Sequence, residues 1–302
     1  MSKNLLLIIN PIAGKRKSVD FLPKIVKELE EADYSVSVRY TEIDKNAYYV
    51  TKHYGEGNKV IICCGGDGTL KETICGVMEL KLDVKIGYIP FGTTNDFAHS
   101  LHIPTDAEDA IEAVLEGKTR AIDIGDFCGK EQFIYVSCFG NLCDVSYKAK
   151  QSLKNKIGRG AYYWESAKEM FSIKGFKAKI ECDDGEIIEG NFFYGGVSNS
   201  YSVAGFPVLK KAGVEFDDGY HELAMIRMPK NPMQLASILN AMFVTRNVVD
   251  NKYLVVKRGK NFKFYFDDKV NWVLDGENGG FHDFVEVKTC ENAIEIFVGD
   301  DD

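Results

Sequence analysis

Between Lys59 and Thr73 the chain reads KVIICCGGDGTLKET. The residues there that could do chemistry are Gly65, Gly66, Asp67, Gly68 and Thr69, placed between an apolar run and a helix-forming stretch. Glycines let a backbone come close to a ligand and adopt positive φ. Backbone N–H groups at the start of a helix bind anions. Together these residues describe a phosphate site. A carboxylate inside it would repel the phosphate unless a cation lay between them, so Asp67 points to Mg2+. Without any ligand, the same residues make a tight strand-to-helix turn with Thr69 or Asp67 as its cap. The spacing is neither that of a Walker loop nor that of the dinucleotide fingerprint.

Two further stretches have the same build. Tyr88 to Ala98, YIPFGTTNDFA, leaves an apolar run for Gly92, Thr93, Thr94, Asn95 and Asp96. Asn10 to Lys15, NPIAGK, follows the first apolar run. Such loops belong at the carboxyl ends of parallel strands, where open α/β sheets bind ligands.

The elements that carry these loops follow from periodicity. Leu5 to Ile9 and Val60 to Cys64 are continuous apolar runs, as in strands buried on both faces. Val36 to Tyr40 and Ile86 to Ile89 are further strands. Phe21 to Ala32, Asn46 to Tyr54, Leu70 to Leu80 and Ala107 to Glu116 suit helices, the last closed by Gly117. This alternation predicts βαβ units and an open, doubly wound parallel sheet. After about Ile124 the texture changes. Phe133 to Cys138, Lys177 to Cys182, Asn191 to Val197, Leu223 to Arg227, Lys252 to Val256, Phe262 to Phe266 and Val285 to Lys288 alternate like strands, with Asp-Gly and Gly-Gly turns among them. Helices remain near Arg159 to Phe171 and Pro232 to Val244. The expectation is a Rossmann-like nucleotide-binding α/β domain over 1–124 and an antiparallel β-sandwich domain over 125–302, its last strand packing back near the junction. A ligand is expected in the cleft between them.

The bulk numbers bound the partners. A chain of 302 residues with 45% apolar and 27% charged residues can bury a sizeable core. A net charge of -8 argues against general nucleic-acid binding. No apolar run approaches the roughly 18 residues a spanning helix needs. The opening MSKNLLLIINP reads as a first strand and not as a signal peptide. Eight cysteines without a CxxC pair read as reduced, packed thiols, so the cytoplasm is the expected location.

NPIAGK, GGDGTLKE and PFGTTNDFA, in this order, resemble the diacylglycerol kinase catalytic family, and most of all its bacterial soluble lipid kinases. The sequence is also similar to sphingosine and ceramide kinases. AGVEFDDGYHEL and NWVLDGE resemble later signatures of the family, so the likeness runs from Leu5 to about Val298. GGDGT alone is shared with NAD kinases and phosphofructokinases. The Thr-Thr-Asn-Asp-Phe-Ala stretch and the late Asp-Gly-Glu favour the lipid kinases.

The resemblance implies an ATP- and Mg2+-dependent transfer to a lipid hydroxyl, diacylglycerol by default. Gly65, Gly66, Asp67, Gly68 and Thr69 would cradle the phosphates. Asn10, Thr41, Glu72, Thr93, Thr94 and Asn95 would line the nucleotide site. Asp67, Asp96 and Asp123 would support the catalytic Mg2+, directly or through water. Asp275 or Glu277 would take the hydroxyl proton, with Asp275 the first choice. If Asp275 to Glu277 is extended, residues i and i+2 face the same way, and two close carboxylates raise one pKa. The alternative is a plain Asp-Gly turn. A structural Mg2+ is implied at the Asp218 carboxylate and the Glu215 and Tyr220 carbonyls; the alternative is a metal-free turn with Asp218 bonded to its own backbone.

One position departs from the family: His99 stands where several relatives carry arginine. A largely neutral imidazole pairs weakly with acids at pH 7, so a fixed-charge role there is in doubt. Lys148 to Arg159 holds five cations and no acid, and Ala161 to Trp164 adds aromatics. Such a stretch would suit peripheral contact with an anionic membrane, although a solvated turn before an inward-packed helix is the favoured reading. A NAD kinase and a non-catalytic nucleotide or lipid sensor are the competing readings. A sheet edge in the β half could pair with a second copy.

Overall fold

The structure is a computed structural model that describes residues 3–44, 46–93, 95–141, 143, 175–199, 215–241 and 251–299. Thr94, the basic stretch Lys148 to Arg159, the aromatics at 161–164 and the helix expected near 159–171 lie outside these residues. The chain divides into two compact units, one formed by Met1–Asp123 with Asn292–Asp302, the other by Ile124–Glu291.

The first unit is built on parallel strands. β1 (Lys3–Ile9) pairs with β2 (Tyr34–Tyr40) on one side and β3 (Val60–Gly65) on the other, and β3 pairs with β4 (Lys85–Pro90). Glu295 and Ile296, near the end of the long strand β13 (Glu277–Phe297), extend the sheet beyond β4, also in parallel. The helices are α1 (Lys17–Asp20), α2 (Leu22–Glu31), α3 (Ala47–Tyr54), α4 (Asp67–Leu80), α5 (Asp96–Ser100) and α6 (Ala107–Glu116).

Successive strand residues face opposite sides. Leu5, Leu7, Ile9, Ile62, Cys64 and Ile89 form one core with Ile25 and Leu29 of α2 and Ala110, Ile111 and Val114 of α6. Cys63 points the other way and bonds Thr73 of α4. Helices therefore cover both faces, which is why these strands are apolar without alternation. Local signals set the helix ends. Asn46 and Asp106 accept N–H groups at the starts of α3 and α6, and Gly117 ends α6 at φ +82°. All eight cysteines are free thiols.

The second unit is antiparallel. Its strands are β5 (Thr119–Phe127, from Ile124 on), β6 (Glu131–Phe133), β7 (Val136–Gly140), β8 (Phe176–Cys182), β9 (Ile187–Ser198), β10 (His221–Arg227), β11 (Leu254–Gly259), β12 (Asn261–Leu274) and the first part of β13, with helix α7 (Pro232–Leu239). β8 and β7 pair with successive stretches of both β9 and β12. The core is aromatic: Phe127, Phe133, Phe139, Phe192, Phe262, Phe264 and Trp272 are all nearly inaccessible.

Two expectations need correction. The run Phe133 to Cys138 is not one strand: β6 ends at Phe133 and β7 begins at Val136. The N–H groups of Ile134 and Tyr135 turn to the Asp275 carboxylate. Asp275 to Glu277 is not extended either. Asp275 (φ +53°) and Gly276 (φ +88°) form the two-residue loop between β12 and β13, and Leu274 pairs with Glu277 across it. Paired positive φ values are those of the tight hairpin turn that matches strand twist.

Candidate functional site

In the first unit, the loops after β1, β3 and β4 meet at the carboxyl end of the sheet. Each is tied to its neighbour by main chain: Asn10 N–H donates to Cys64 O at 2.9 Å, Phe91 N–H to Gly65 O at 2.7 Å, and Thr41 N–H to Ile9 O at 2.9 Å. Glycine is required where the loops cross. A Cβ on Gly92 would lie 2.8 Å from Gly66 Cα and 2.5 Å from Asn95 Oδ1. Gly14, at φ +59°, sits against Phe91 O. The loops pack through bare backbone there.

The α4 terminus uses neither side-chain cap. Gly66 is the N-cap and makes no side-chain bond, so the first N–H groups of this 14-residue helix face outward from it. Asp67 is the first helical residue, and its Oδ1 accepts the Phe97 N–H at 3.3 Å. Thr69 is buried and its hydroxyl accepts Asn10 Nδ2 at 3.1 Å; Asn10 Oδ1 in turn accepts Ile12 N–H at 3.2 Å. Asn95 is buried at φ +48°, opens α5 and faces the Tyr88 hydroxyl at 3.4 Å.

Several expected site residues are brought together and several are not. Asn10, Gly65, Gly66, Asp67, Gly68, Thr69 and Asn95 share this junction. Thr41 ends the neighbouring strand, and Thr93 is exposed on the third loop. Glu72 turns to α3, where its Oε2 accepts the Ala47 N–H at 3.0 Å. Asp96 begins α5, and its side chain lies outside what is described. Asp123 is fully buried, and its Oδ1 accepts the N–H of Asn292, a residue at φ +46°. Sequence spacing gave no sign of that partner 169 positions away.

A triphosphate with Mg2+ fits this junction. Outward N–H groups and glycines that admit no Cβ suit phosphate oxygens, and the Asp67 carboxylate could supply one hard oxygen ligand. Among the described residues no group of three or more His, Cys, Asp and Glu side chains converges. Mg2+ habitually takes its remaining ligands from water and substrate phosphate.

In the second unit, the Asp275 carboxylate accepts three backbone N–H groups, from Ile134 (2.8 Å), Tyr135 (3.0 Å) and Val136 (3.0 Å). Its own N–H donates to Val136 O at 2.9 Å. These bonds tie the carboxylate to the backbone between β6 and β7. Glu277, two residues on, is exposed.

In the Glu215 to Tyr220 turn the Asp218 carboxylate is engaged on both oxygens. Asp218 Oδ1 accepts the Tyr220 N–H at 2.9 Å, and Oδ2 is bonded to the guanidinium of Arg258. Glu215 is exposed. Two strand residues beside this turn were not singled out from the sequence. His221 and Glu222 are 1% and 2% exposed. Burial lowers the His221 pKa to about 3 and raises that of Glu222 to about 8. The signal was available: two ionisable residues opening a strand whose next four residues are apolar.

Residues 4–127 match the diacylglycerol kinase catalytic domain. A diacylglycerol kinase of Staphylococcus epidermidis is 33% identical over 305 residues, covering 100% of this chain and 94% of the relative. One from Staphylococcus aureus is 33% identical over 284 residues, covering 93% and 88%. A crystal structure of a diacylglycerol kinase from Bacillus anthracis superposes with a TM-score of 0.75 at 18% identity, covering 99% of this chain and 97% of that one. The last likeness speaks for the fold.

Proposed function

The chain belongs to the diacylglycerol kinase family, and from that premise we propose that it transfers the γ-phosphate of ATP, with Mg2+, to the hydroxyl of diacylglycerol at a membrane surface. The finer layout, a doubly wound nucleotide-binding domain and a β-sandwich lipid domain, is part of this reading. The observation that carries it is the approach of Gly66 to Gly92 beside Asp67. Amides of the α4 terminus hold phosphate oxygens, and Asn10, Thr41, Thr93 and Asn95 border the nucleotide. Mg2+, when bound, would neutralise charge on the transferring phosphate. Asp67 would hold it, with Asp96 and solvent completing the shell. Asp123, bonded to the Asn292 N–H, would act by fixing the backbone of β13 there.

The base role passes to Glu277. Asp275 spends its carboxylate on three amides and would position the hairpin from which Glu277 projects. Neither residue needs to be extended for this. No helix among the described residues is long and apolar enough to cross a membrane, so contact with the lipid surface would be peripheral. The basic stretch from Lys148 is the proposed contact. Replacing Lys148, Lys150, Lys154 and Lys156 by Glu should then abolish co-sedimentation with anionic vesicles.

The deciding experiment incubates purified protein with Mg2+, ATP labelled at its γ-phosphate, and a panel of diacylglycerol, sphingosine, ceramide, isoprenoid alcohol, phosphatidylglycerol and NAD. Label on diacylglycerol is expected. Label on NAD, or on none of the lipids, would overturn the proposal.

A further inference from the structure

The acidic turn from Glu215 to Tyr220 invites a divalent ion, but cationic side chains already reach it. Asp218 lies on the turn between residue 215 and β10, with its side chain only 11% exposed. Arg258 reaches it from β11 and forms an ion pair through Nη2. The Arg258 guanidinium also lies over the Tyr220 ring, 4.5 Å from its centroid, and Lys260 Nζ lies 5.0 Å from the same centroid. Lys260 pairs with Glu291, which packs against Gly219.

Two ion pairs close the turn: Asp218 with Arg258, and Glu291 with Lys260. Glu222 sits directly opposite Arg258 across the β10–β11 pair, yet the Arg258 guanidinium is bonded to Asp218.

We propose that Arg258 is the resident cation of the Glu215 to Tyr220 turn, so that this chain closes the turn without a divalent ion. The guanidinium supplies the positive charge and a planar face for Tyr220, and an arginine fork stacks on an aromatic ring as a hydrated metal cannot. A divalent ion at Asp218 would have to expel it and would face Lys260 as well. This inference concerns only the turn, and its test uses no kinase activity, so it stands or falls apart from the proposed reaction.

The test is thermal unfolding of the full chain without nucleotide, after EDTA and desalting, with and without millimolar Mg2+, Mn2+ or Ca2+, together with elemental analysis of the protein before EDTA treatment. The proposal expects no bound divalent ion and the same Tm in EDTA and in Mg2+. Any Mg2+ response should vanish in Asp67→Asn and persist in Asp218→Asn. Arg258→Ala should unfold at lower temperature and gain a Tm increase in Mg2+ that the wild type lacks at this turn. A wild-type Tm that falls in EDTA, recovers with a divalent ion and loses this response in Asp218→Asn would overturn the proposal. So would about one equivalent of divalent metal retained by the wild type and lost in Asp218→Asn. If Arg258→Ala does not fold, the comparison of wild type, Asp67→Asn and Asp218→Asn decides it.

Discussion

Two Asp-Gly pairs, Asp67-Gly68 and Asp275-Gly276, follow apolar strands and look alike as letters. Their surroundings make them opposites. Asp67 opens a helix, and its Oδ1 accepts the Phe97 N–H at 3.3 Å. Asp275 sits in a hairpin loop and accepts three N–H groups at 2.8 to 3.0 Å. A carboxylate that anchors a backbone is a poor candidate for moving a proton or following a metal. One at the rim of a glycine junction is well placed for a ligand. The dipeptide does not determine which it becomes; the donors that face it do.

The sharpest way to break this contrast is to neutralise each acid. Asp67→Asn should lower kcat by about a hundredfold or more, the scale of losing a preorganised electrostatic contact at transferring phosphate. Its Tm should stay near that of the wild type. Asp275→Ala should show the reverse emphasis. Leaving its three N–H donors without their acceptor should cost on the order of 3 kcal/mol of stability, measured by denaturant unfolding. If Asp275→Ala unfolds like the wild type and loses only turnover, the division of roles is wrong.

Glu277→Gln sharpens the same hairpin. It should lower kcat by about 10²-fold, the lower end of general-base catalysis, with Tm and the KM for ATP nearly unchanged. Gly92→Ala probes the glycine junction: its Cβ meets Gly66 and Asn95, and the KM for ATP should rise by about tenfold, read from initial rates.

The smallest effect is expected at the third Asp-Gly turn, Asp218-Gly219, through Glu222 below it. In the fold this carboxyl keeps its proton up to about pH 8, against an ordinary value of 4.5. The folded state thus binds more protons than the unfolded one between those values, and stability falls as pH rises through that window. Glu222→Gln lacks the titration, so its Tm should gain on the wild type progressively from about pH 5 to pH 8. His221 has the opposite slope: burial lowers its pKa from 6.5 to about 3, so its contribution is lost as pH falls below 6.5.

Much of the first unit was legible because local rules agree there. Leu5 to Ile9 and Val60 to Cys64 are strands since uninterrupted apolar runs suit a sheet covered on both faces. Asn46, Asp106 and Gly117 end helices by their own side chains or φ preferences. The strand run Phe133 to Cys138 was misread because its break is imposed by Asp275, some 140 residues away. The extended reading of Asp275 to Glu277 failed because Asp-Gly with two positive φ values is the cheapest closure for strands that must pair directly.

By itself the sequence determined the order of strands and helices in the first unit and the placing of glycines where backbones cross. These depend on residues a few positions apart, and periodicity and φ preference record them. Only the tertiary structure decided what each acid does. Asp123 faces Asn292, Glu72 faces Ala47, Asp275 faces three amides and Asp218 faces Arg258. A carboxylate's chemistry follows from the donors and charges within a few ångströms, and those arrive from parts of the chain that no local pattern connects.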